Sequence, residues 1–392
     1  MQPISKKILL HIGAPKCGSS SIQKTLTFNP TFGYKGGGPG PINYWLIQNG
    51  VAIRSPIVKT LAVGQDYLAS DHLLWRDLDR PCVHKCLQDL ITKMESNEVA
   101  IVSGESFGYT FLEIVENIGV KCDCAKSKDL EITAVMFIRD IFSLIESAYF
   151  QWGLWSTPTL GEWVEGEGVI SLFNGAIAQS AFQLGCDNLV IHHLEQGLLL
   201  DPFFRVLERW GYLKNHFEMI DLLNSNSRAS LDDIRLQQRN VGLREIHDPR
   251  TEFLLNQLRV ENNLSYKKAP HLLTESSVST IIKRFSNDRK ILQGFCSDET
   301  NQILGHEFSE EHLMNLGYRD SKKDPYETLL ETPDIDYLEK LSALLIRKLL
   351  HEQSFIAERN QAVAERNQAV AEKEMILNSR IWKYTKLWRK FR

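Results

Sequence analysis

The chain has 392 residues, of which 43% are hydrophobic and 24% are charged, and its formal net charge is -4 at pH 7. This length and apolar content suffice for one sizeable core with an additional segment. The mild acidity argues against a nucleic-acid partner, which would need a basic surface. No run of about 18 apolar residues occurs, and the apolar part of the N-terminus is too short for a signal peptide. We therefore expect a cytoplasmic protein without a membrane span.

The cysteine content indicates a reducing compartment. The seven cysteines are irregularly spaced, odd in number and lack a paired C-x-x-C framework, so free thiols are the simpler expectation. A zinc site is the alternative, because Cys82, His84 and Cys86 lie close together and Cys122 and Cys124 follow later. We predict that the protein holds no metal.

The first chemical signal is a strand, a glycine-containing loop and a helix start between residues 8 and 26. The apolar residues 8–12 predict a strand, and the serines at 19–21 open a segment with helical spacing. The loop at 13–18 joins them. Such a junction binds anions, because the loop amides point inward and the helix dipole is positive at its N-terminus. We predict a phosphate site here; an ordinary strand-to-helix turn is the alternative.

The details of this loop differ from a nucleoside-triphosphatase P-loop. Gly13 and Gly18 keep the G-x-x-x-x-G spacing, but Ser19 stands where the lysine belongs, and the lysine is Lys16, inside the loop. The run PKCGSSS resembles the PKxGTT loop of sulfotransferases that use 3'-phosphoadenosine 5'-phosphosulfate (PAPS). The resemblance implies that Lys16 contacts the phosphosulfate and its bridging oxygen, while Gly18, Ser19 and Ser20 cradle the 5'-phosphate. The predicted cofactor-binding residues of the loop are Pro15, Lys16, Cys17, Gly18, Ser19, Ser20 and Ser21.

A second motif follows another apolar strand. Residues 132–138 predict a buried strand, and a helix is predicted from about Ile141. Arg139 lies at the strand end and Ser147 two turns into the helix, as in the 3'-phosphate signature of the same sulfotransferases. A phosphate dianion suits a guanidinium fork and a hydroxyl donor. The alternative is an arginine at a sheet edge and an unrelated helical serine. A magnesium-dependent nucleoside triphosphatase usually has a metal-binding acid at the end of such a strand. Here the strand ends in Arg139, and Asp140 comes only after it, so we predict a metal-free nucleotide site.

Candidates for the base and the acceptor pocket come from the intervening segments. Residues 99–103 predict a strand that leads to Glu105, which the resemblance and the expected sheet edge both favour as the base. The alternative bases are His11, His72 and His84, and Glu105 itself could be a solvated carboxylate at a turn. Residues 28–81 look rich in loops, with KGGGPGP at 35–41, and predict either an acceptor-pocket excursion or a surface insertion.

Later segments carry weaker signals. Trp152, Trp155 and Trp163 suit either stacking on a sugar or a packed lid. Residues 188–192 predict a strand within a structural unit. The polar loop at 224–230 resembles the loop that closes over the cofactor's 3'-phosphate end in the family, which makes Arg228 a cofactor-binding candidate.

The C-terminal segment has a different character. The heptapeptide AERNQAV occurs twice, at 357–363 and 364–370, and predicts a helix with a weak coiled-coil seam. The final residues, SRIWKYTKLWRKFR, are basic and aromatic and resemble the tails of bacterial glycan-assembly enzymes. The tail is expected to rest on an anionic membrane at its inner face, or to dock to a glycan-assembly enzyme, or to self-associate weakly. These alternatives stay open.

Together these features predict an α/β protein with a P-loop-type three-layer fold and a mostly parallel central sheet over residues 1–330. A helical or coiled-coil tail is predicted over 331–392. The resemblance implies transfer of the sulfuryl group from PAPS to a hydroxyl of a carbohydrate acceptor, a surface polysaccharide or glycolipid. The alternatives are a P-loop kinase and a non-catalytic scaffold with a vestigial nucleotide site.

Overall fold

The computed structural model places part of the chain well enough to describe. The described residues are 6–48, 51–54, 57–61, 68–70, 89–104, 130–157, 159–183, 188–218, 220–221, 230–239, 254–255, 257–259, 262, 264, 267, 269–316, 326, 329, 333–349, 361, 365, 368 and 372–374. The chain divides into two compact units, residues 1–249 with 268–331 and residues 250–267 with 332–392. The division after 331 lies next to the predicted boundary at 330, but residues 250–267 belong with the tail.

The first unit contains both strands and helices. The strands are β1 (Lys6–Ile12), β2 (Ile42–Gln48), β3 (Val51–Arg54), β4 (Val99–Ser103), β5 (Leu130–Ile138) and β6 (Asn188–His193). The α-helices are α1 (Ser19–Phe28), α2 (Ile57–Leu61), α3 (Ile141–Gln151), α4 (Leu160–Glu165), α5 (Asn174–Gln183), α6 (Asp201–Arg209), α7 (Leu231–Arg239), α8 (Glu275–Gln293), α9 (Asp298–His306) and α10 (Glu310–Asn315). Short 3-10 helices cover Gly153–Trp155, Glu167–Leu172 and Lys214–His216.

The strands form one six-stranded sheet in the order β3-β2-β4-β1-β5-β6. Only β3 runs antiparallel to its neighbour; the other pairs are parallel. In the central register, His11 of β1 lies opposite Ser103 of β4 and Val135 of β5. The first unit is therefore an α/β structure with a mostly parallel sheet, which confirms the coarse fold prediction.

Helices cover both faces of this sheet, as a parallel sheet of nearly continuous apolar strands requires. Successive strand residues point to opposite faces. His192 contacts Arg205 of α6, at 3.1 Å between Nδ1 and Nη2, while His193 faces Glu307, the residue after α9, at 3.7 Å between Nε2 and Oε1. Neighbouring histidines thus contact helical segments on the two sides of β6.

The chain reverses its direction across the sheet between β1 and β5. From β1 it proceeds to β2, on the β4 side, whereas from β5 it proceeds to β6 on the other side. In open α/β sheets, ligands bind in the crevice that such a reversal opens at the carboxyl ends of the strands. The two strands that flank this point are the ones that carry the two predicted phosphate motifs.

The prediction of a loop-rich excursion is wrong for residues 42–48, 51–54 and 57–61, which form β2, β3 and α2. The run INYWLIQ of β2 is buried except at its last residue, so tertiary burial outweighs the surrounding glycines and prolines. The two residues between β2 and β3 are Asn-Gly, the common dipeptide of a two-residue hairpin.

The glycine-rich residues 35–41 lie at the opposite edge of the sheet from the phosphate loop. They directly precede β2, and the Pro41 carbonyl accepts from the Val99 amide at the start of β4, at 2.9 Å. The Gly40 carbonyl accepts from the Tyr212 hydroxyl at 3.0 Å. Since both contacts are at the amino ends of the strands, they favour a surface insertion there over an acceptor pocket beside residues 13–18.

In the second unit, residues 335–349 are helical, with Tyr337 and Leu341 buried and Ile346 and Leu349 exposed. Within the heptad repeat, side-chain hydrogen bonds join Gln361 to Glu365 and Gln368 to Glu372, four residues apart. Most of the repeat and the basic C-terminal end lie outside the described residues, so the coiled coil stays a prediction. Within the described part of the chain, no helix is both long enough and apolar enough to cross a bilayer.

Candidate anion site at the carboxyl ends of the strands

The loop after β1 is shaped by residues with unusual backbone angles. Gly13 has φ 136°, and a β-carbon there would lie 3.3 Å from the carbonyl oxygen of Phe137 on β5. Lys16 has φ 68°, a left-handed conformation that costs a non-glycine residue about 1–2 kcal/mol. Strain of this kind persists where the surrounding structure requires it and is concentrated at functional sites.

The same loop opens helix α1 in a way that suits an anion. Gly18 is the N-cap with φ 83°, has no side chain to cap the helix, and no acid occurs in the first turn. Helix α3 differs, since Asp140 caps it by accepting from the Ser143 amide at 2.7 Å. The first turn of α1 itself therefore supplies no carboxylate to the positive end of the helix dipole, and an anion would be stabilised there.

The predicted loop residues differ in exposure. Cys17 and Ser19 are buried, and Pro15, Lys16, Gly18, Ser20 and Ser21 are half-buried. A buried Cys17 side chain implies that only the backbone of this residue could meet a ligand.

Ser147 lies on the open face of α3, and Arg139 lies just before the start of this helix. The helix is buried except at Ser143, Ser147 and Gln151, which recur every four residues and so form one line on its surface. Arg139 lies two residues before the first residue of the helix, Ile141, and is half-buried as well. Among the described residues, none pairs with the Arg139 guanidinium or with the Ser147 hydroxyl. A guanidinium without an internal partner, next to a line of hydroxyls, suits a phosphate.

Ser143 is a candidate that the sequence argument missed. Its amide is used by Asp140, but its hydroxyl has no partner among the described residues. The signal was available, because Ser143 stands midway between Arg139 and Ser147 at helical spacing of four.

The structure brings the two motifs to the same edge of the sheet. β1 and β5 are adjacent and parallel, with Ile12 opposite Met136. Neighbouring strands are about 4.8 Å apart, so the loop at 13–18 and the Arg139 turn begin side by side. The close approach of Gly13 to Phe137 joins the two strand ends directly.

The turn between β6 and α6 also lies at the carboxyl ends of the strands, next to the loop at 13–18. The sequence indicated only a structural role for this segment. The Leu194 amide donates to the Ile138 carbonyl at 3.0 Å, across the end of β5. A β-carbon at Gly18 would lie 3.2 Å from Leu199 and 3.7 Å from Leu194. Two leucines therefore pack against the glycine that starts α1.

Several candidates lie outside the described residues: Glu105, Arg228, His72, His84, Cys82, Cys86, Cys122 and Cys124. Gly104, which precedes Glu105, is described, and its amide donates to the His11 carbonyl at 3.2 Å. The chain thus leaves β4 beside the end of β1. The role of Glu105 as a base stays a prediction.

His11 is removed from the set of alternative bases. Its side chain is buried, Nδ1 lies 2.7 Å from the Ser103 hydroxyl, and its ring packs edge-on against Phe137 and Phe203. Burial lowers the pKa of His11 to about 3. A neutral ring enclosed in this way cannot reach an acceptor hydroxyl.

The buried His11 predicts acid-sensitive stability. At pH 5 the unfolded chain would protonate this ring, whose ordinary pKa is 6.5, whereas the folded chain would keep it neutral. Acid therefore favours the unfolded state, and His11 alone should lower the free energy of unfolding by about 2 kcal/mol between pH 7 and pH 5. His192, whose pKa burial lowers to about 4, acts in the same direction.

Urea unfolding at several pH values checks this expectation. His11→Gln retains a polar partner for Ser103 but cannot titrate. Between pH 5 and pH 6.5 the wild type should take up about one more proton on unfolding than this variant does. The free energy of unfolding of the variant should therefore depend less steeply on pH. Equal slopes for this variant and the wild type would show that His11 does not titrate as the buried geometry requires.

The tryptophan segment is at least partly a packed structure. Trp163 is buried, and its ring centroid lies 5.7 Å from that of Tyr149 on α3. The Tyr149 hydroxyl donates to the Thr157 carbonyl at 2.9 Å, and burial raises the pKa of Tyr149. This favours the packed-lid interpretation for Trp163, whereas Trp152 and Trp155 are half-buried.

Asp140 has structural partners on both carboxylate oxygens. Oδ1 accepts from the Ser143 amide, and Oδ2 lies 2.6 Å from Nε2 of His312 on α10. Within the described ranges, no group of three His, Cys, Asp or Glu side chains is placed to hold a metal ion.

Comparison of the chain with models of known protein families gives no match, and comparison with curated proteins gives none either.

Proposed function

We propose that this chain is a sulfotransferase that moves the sulfuryl group of PAPS to a hydroxyl of a carbohydrate acceptor. The observation that carries the proposal is the meeting of two anion-suited positions at one sheet edge. One is the start of α1 with Lys16, where the N-cap residue Gly18 has no side chain to cap the helix. The other is the Arg139 guanidinium beside Ser147, which has no partner among the described residues. A nucleotide with phosphates on both sides of its ribose would occupy both.

In this proposal the loop at 13–18 takes the 5'-phosphosulfate, in the manner of a P-loop without the G-K-S/T lysine. The bond between sulfur and the bridging oxygen breaks, and a bond between sulfur and the acceptor oxygen forms. The proton of the acceptor hydroxyl passes to a base, Glu105. The leaving group is adenosine 3',5'-bisphosphate, written 3',5'-ADP below. Lys16 stabilises the negative charge that develops on the bridging oxygen, and a positioned charge of this kind acts without reorganisation.

Arg139, Ser147 and Arg228 would select the donor by its 3'-phosphate. A planar guanidinium fork with hydroxyl donors matches a phosphate dianion, and AMP and ATP lack that group. Selection of a 3'-phosphate also distinguishes this proposal from a P-loop kinase. A kinase would need a lysine at position 19, where this chain has a serine, and an acid at the end of β5, where it has Arg139.

The acceptor in this proposal is a surface polysaccharide or a glycolipid, in keeping with the resemblance of the basic aromatic tail to those of glycan-assembly enzymes. The tail would hold the enzyme at the inner face of the membrane or against such an enzyme, where the acceptor is made.

Product release tests the proposal. Purified full-length protein is incubated with either PAPS or ATP and a panel of bacterial glycans, in parallel reactions that contain magnesium or EDTA. We expect 3',5'-ADP to form only when a hydroxyl-bearing glycan is added, and at an unchanged rate in EDTA. Magnesium-dependent consumption of ATP with no release of 3',5'-ADP would contradict the proposal in favour of a kinase. Absence of both reactions, together with no binding of 3',5'-ADP, would favour a scaffold.

A further inference from the structure

A buried ion pair lies directly behind the Arg139 turn. Arg289 of α8 and Glu307 are both almost fully buried, with Nε of the arginine 3.0 Å from Oε2 of the glutamate. Glu307 in turn faces His193 at the end of β6, 3.7 Å away. The cluster therefore connects the C-terminal helices of the first unit to the strand ends.

Arg289 also contacts the main chain of the candidate phosphate residue. Its Nη2 donates to the carbonyl oxygen of Arg139 at 2.9 Å, across 150 residues of sequence. The next residue, Asp140, is held by His312 across 172 residues. The two-residue turn between β5 and α3 is thus fixed by side chains from α8 and α10, while the Arg139 side chain itself has no partner among the described residues.

Packing alone does not account for this arrangement. Replacing a buried ion pair by apolar residues of similar volume is often neutral or stabilising, because desolvation offsets the attraction between the charges. Here Nε and Nη1 of Arg289 and Oε2 of Glu307 are buried without hydrogen-bond partners among the described residues, which adds to the cost. An apolar pair could fill the same space, but it could not donate to the Arg139 carbonyl.

We propose that Arg289 is a positioning residue for recognition of the 3'-phosphate, acting through the main chain of Arg139. The inference rests on the proposed function, since it assigns the device that orients the Arg139 guanidinium. The long side chain of Arg139 can be oriented toward a phosphate only when its main chain is fixed. Arg289 fixes this main chain by donating to the Arg139 carbonyl, and Glu307 holds Arg289 in place. Nη2 of Arg289 donates both to the Arg139 carbonyl and to Oε1 of Glu307, at 2.9 and 3.3 Å. A lysine would not reproduce these contacts, because its ammonium lies on a shorter, unbranched stem without the planar group that places Nη2 against both partners.

The experiment measures the contribution of the 3'-phosphate, defined as the dissociation constant of AMP divided by that of 3',5'-ADP. Arg289→Lys should lower this ratio at least tenfold, with little change in the affinity for AMP. Arg284→Lys is the matched control on the same helix: Arg284 donates to the carbonyls of Glu165 and Gly166, at 2.5 and 2.8 Å, at the end of α4. The control should leave the ratio within twofold of the wild type.

A second variant covers the case in which the single substitution unfolds the protein. The double substitution Arg289→Met with Glu307→Leu removes both buried charges and should keep a cooperative unfolding transition. Its ratio should be as low as that of Arg289→Lys. In an Arg139→Ala background, adding Arg289→Met should lower the ratio no further, because the two residues act as one unit.

The outcomes separate the inference from the proposed function. If the wild type prefers 3',5'-ADP and the Arg289 variants keep that preference, the inference is overturned and the proposed function stands. A parallel loss of affinity for both nucleotides would also overturn it, because it would indicate a merely structural role. A wild type with no preference for 3',5'-ADP would overturn the proposed function and the inference together.

Discussion

Lys16→Gly should lower the rate of sulfuryl transfer by about 10²–10³-fold without straining the backbone of the loop. Lys16 has φ 68°, which glycine adopts freely, so the substitution relieves strain that offsets the greater freedom of glycine in the unfolded chain. Loss of the ammonium removes a preorganised charge next to the leaving oxygen. One such donor contributes about 10²–10³-fold to kcat. The backbone at this position favours glycine, so the lysine there is expected to be retained for its charge.

Initial rates of 3',5'-ADP release and urea unfolding measure the two halves of this prediction. Lys24→Ala, on α1 eight residues further along, is the control for a change of charge near the loop. It should keep most of the activity. Lys16→Ala should be as inactive as Lys16→Gly but less stable, because alanine is strained at a positive φ. Substantial activity in Lys16→Gly would remove Lys16 from the reaction.

Arg139→Ala should weaken binding of 3',5'-ADP by roughly 10–100-fold and leave binding of AMP unchanged. A hydrogen bond to a charged group contributes about 1.5–3 kcal/mol, and each 1.4 kcal/mol is a factor of ten in affinity. The guanidinium has no internal partner among the described residues, so its removal should leave no buried carboxylate uncompensated. Stability should therefore change little.

Isothermal titration calorimetry with both nucleotides checks this prediction. Arg209→Ala, exposed in the last turn of α6, is a control for loss of one positive charge and should leave both affinities unchanged. If Arg139→Ala weakened AMP and 3',5'-ADP equally, Arg139 would not be the residue that meets the 3'-phosphate.

The strands next to the site were predictable because each is a short apolar run with a clear end. The predicted β4, residues 99–103, has the observed bounds, and α3 begins at Ile141 as expected. β5 begins two residues earlier than predicted, at Leu130, because parallel pairing with β1 extends over the less apolar Glu131. The hairpin of β2 and β3 was missed, since glycine and proline content was given more weight than the apolar run between them.

For the site, the sequence placed the residues on their elements but not their contacts. Helical spacing places Ser143 and Ser147 on one line of α3, yet burial of the other faces depends on α4, on the 3-10 helices at 153–155 and 167–172, and on Phe308. The contact of Arg289 with Arg139 joins residues 150 apart, for which no local pattern exists. The enclosure of His11 by Phe137 and Phe203 likewise arises only when distant segments pack.

In this account the carboxyl ends of β1 and β5 together bind a nucleotide that carries a phosphate on both sides of its ribose. Calorimetric titration of the full-length wild-type chain with 3',5'-ADP, AMP and ATP, each with and without magnesium, tests it most directly. We expect 3',5'-ADP to bind at least tenfold more tightly than AMP or ATP, with no effect of magnesium. Equal affinity for 3',5'-ADP and AMP, or tighter magnesium-dependent binding of ATP, would contradict the claim.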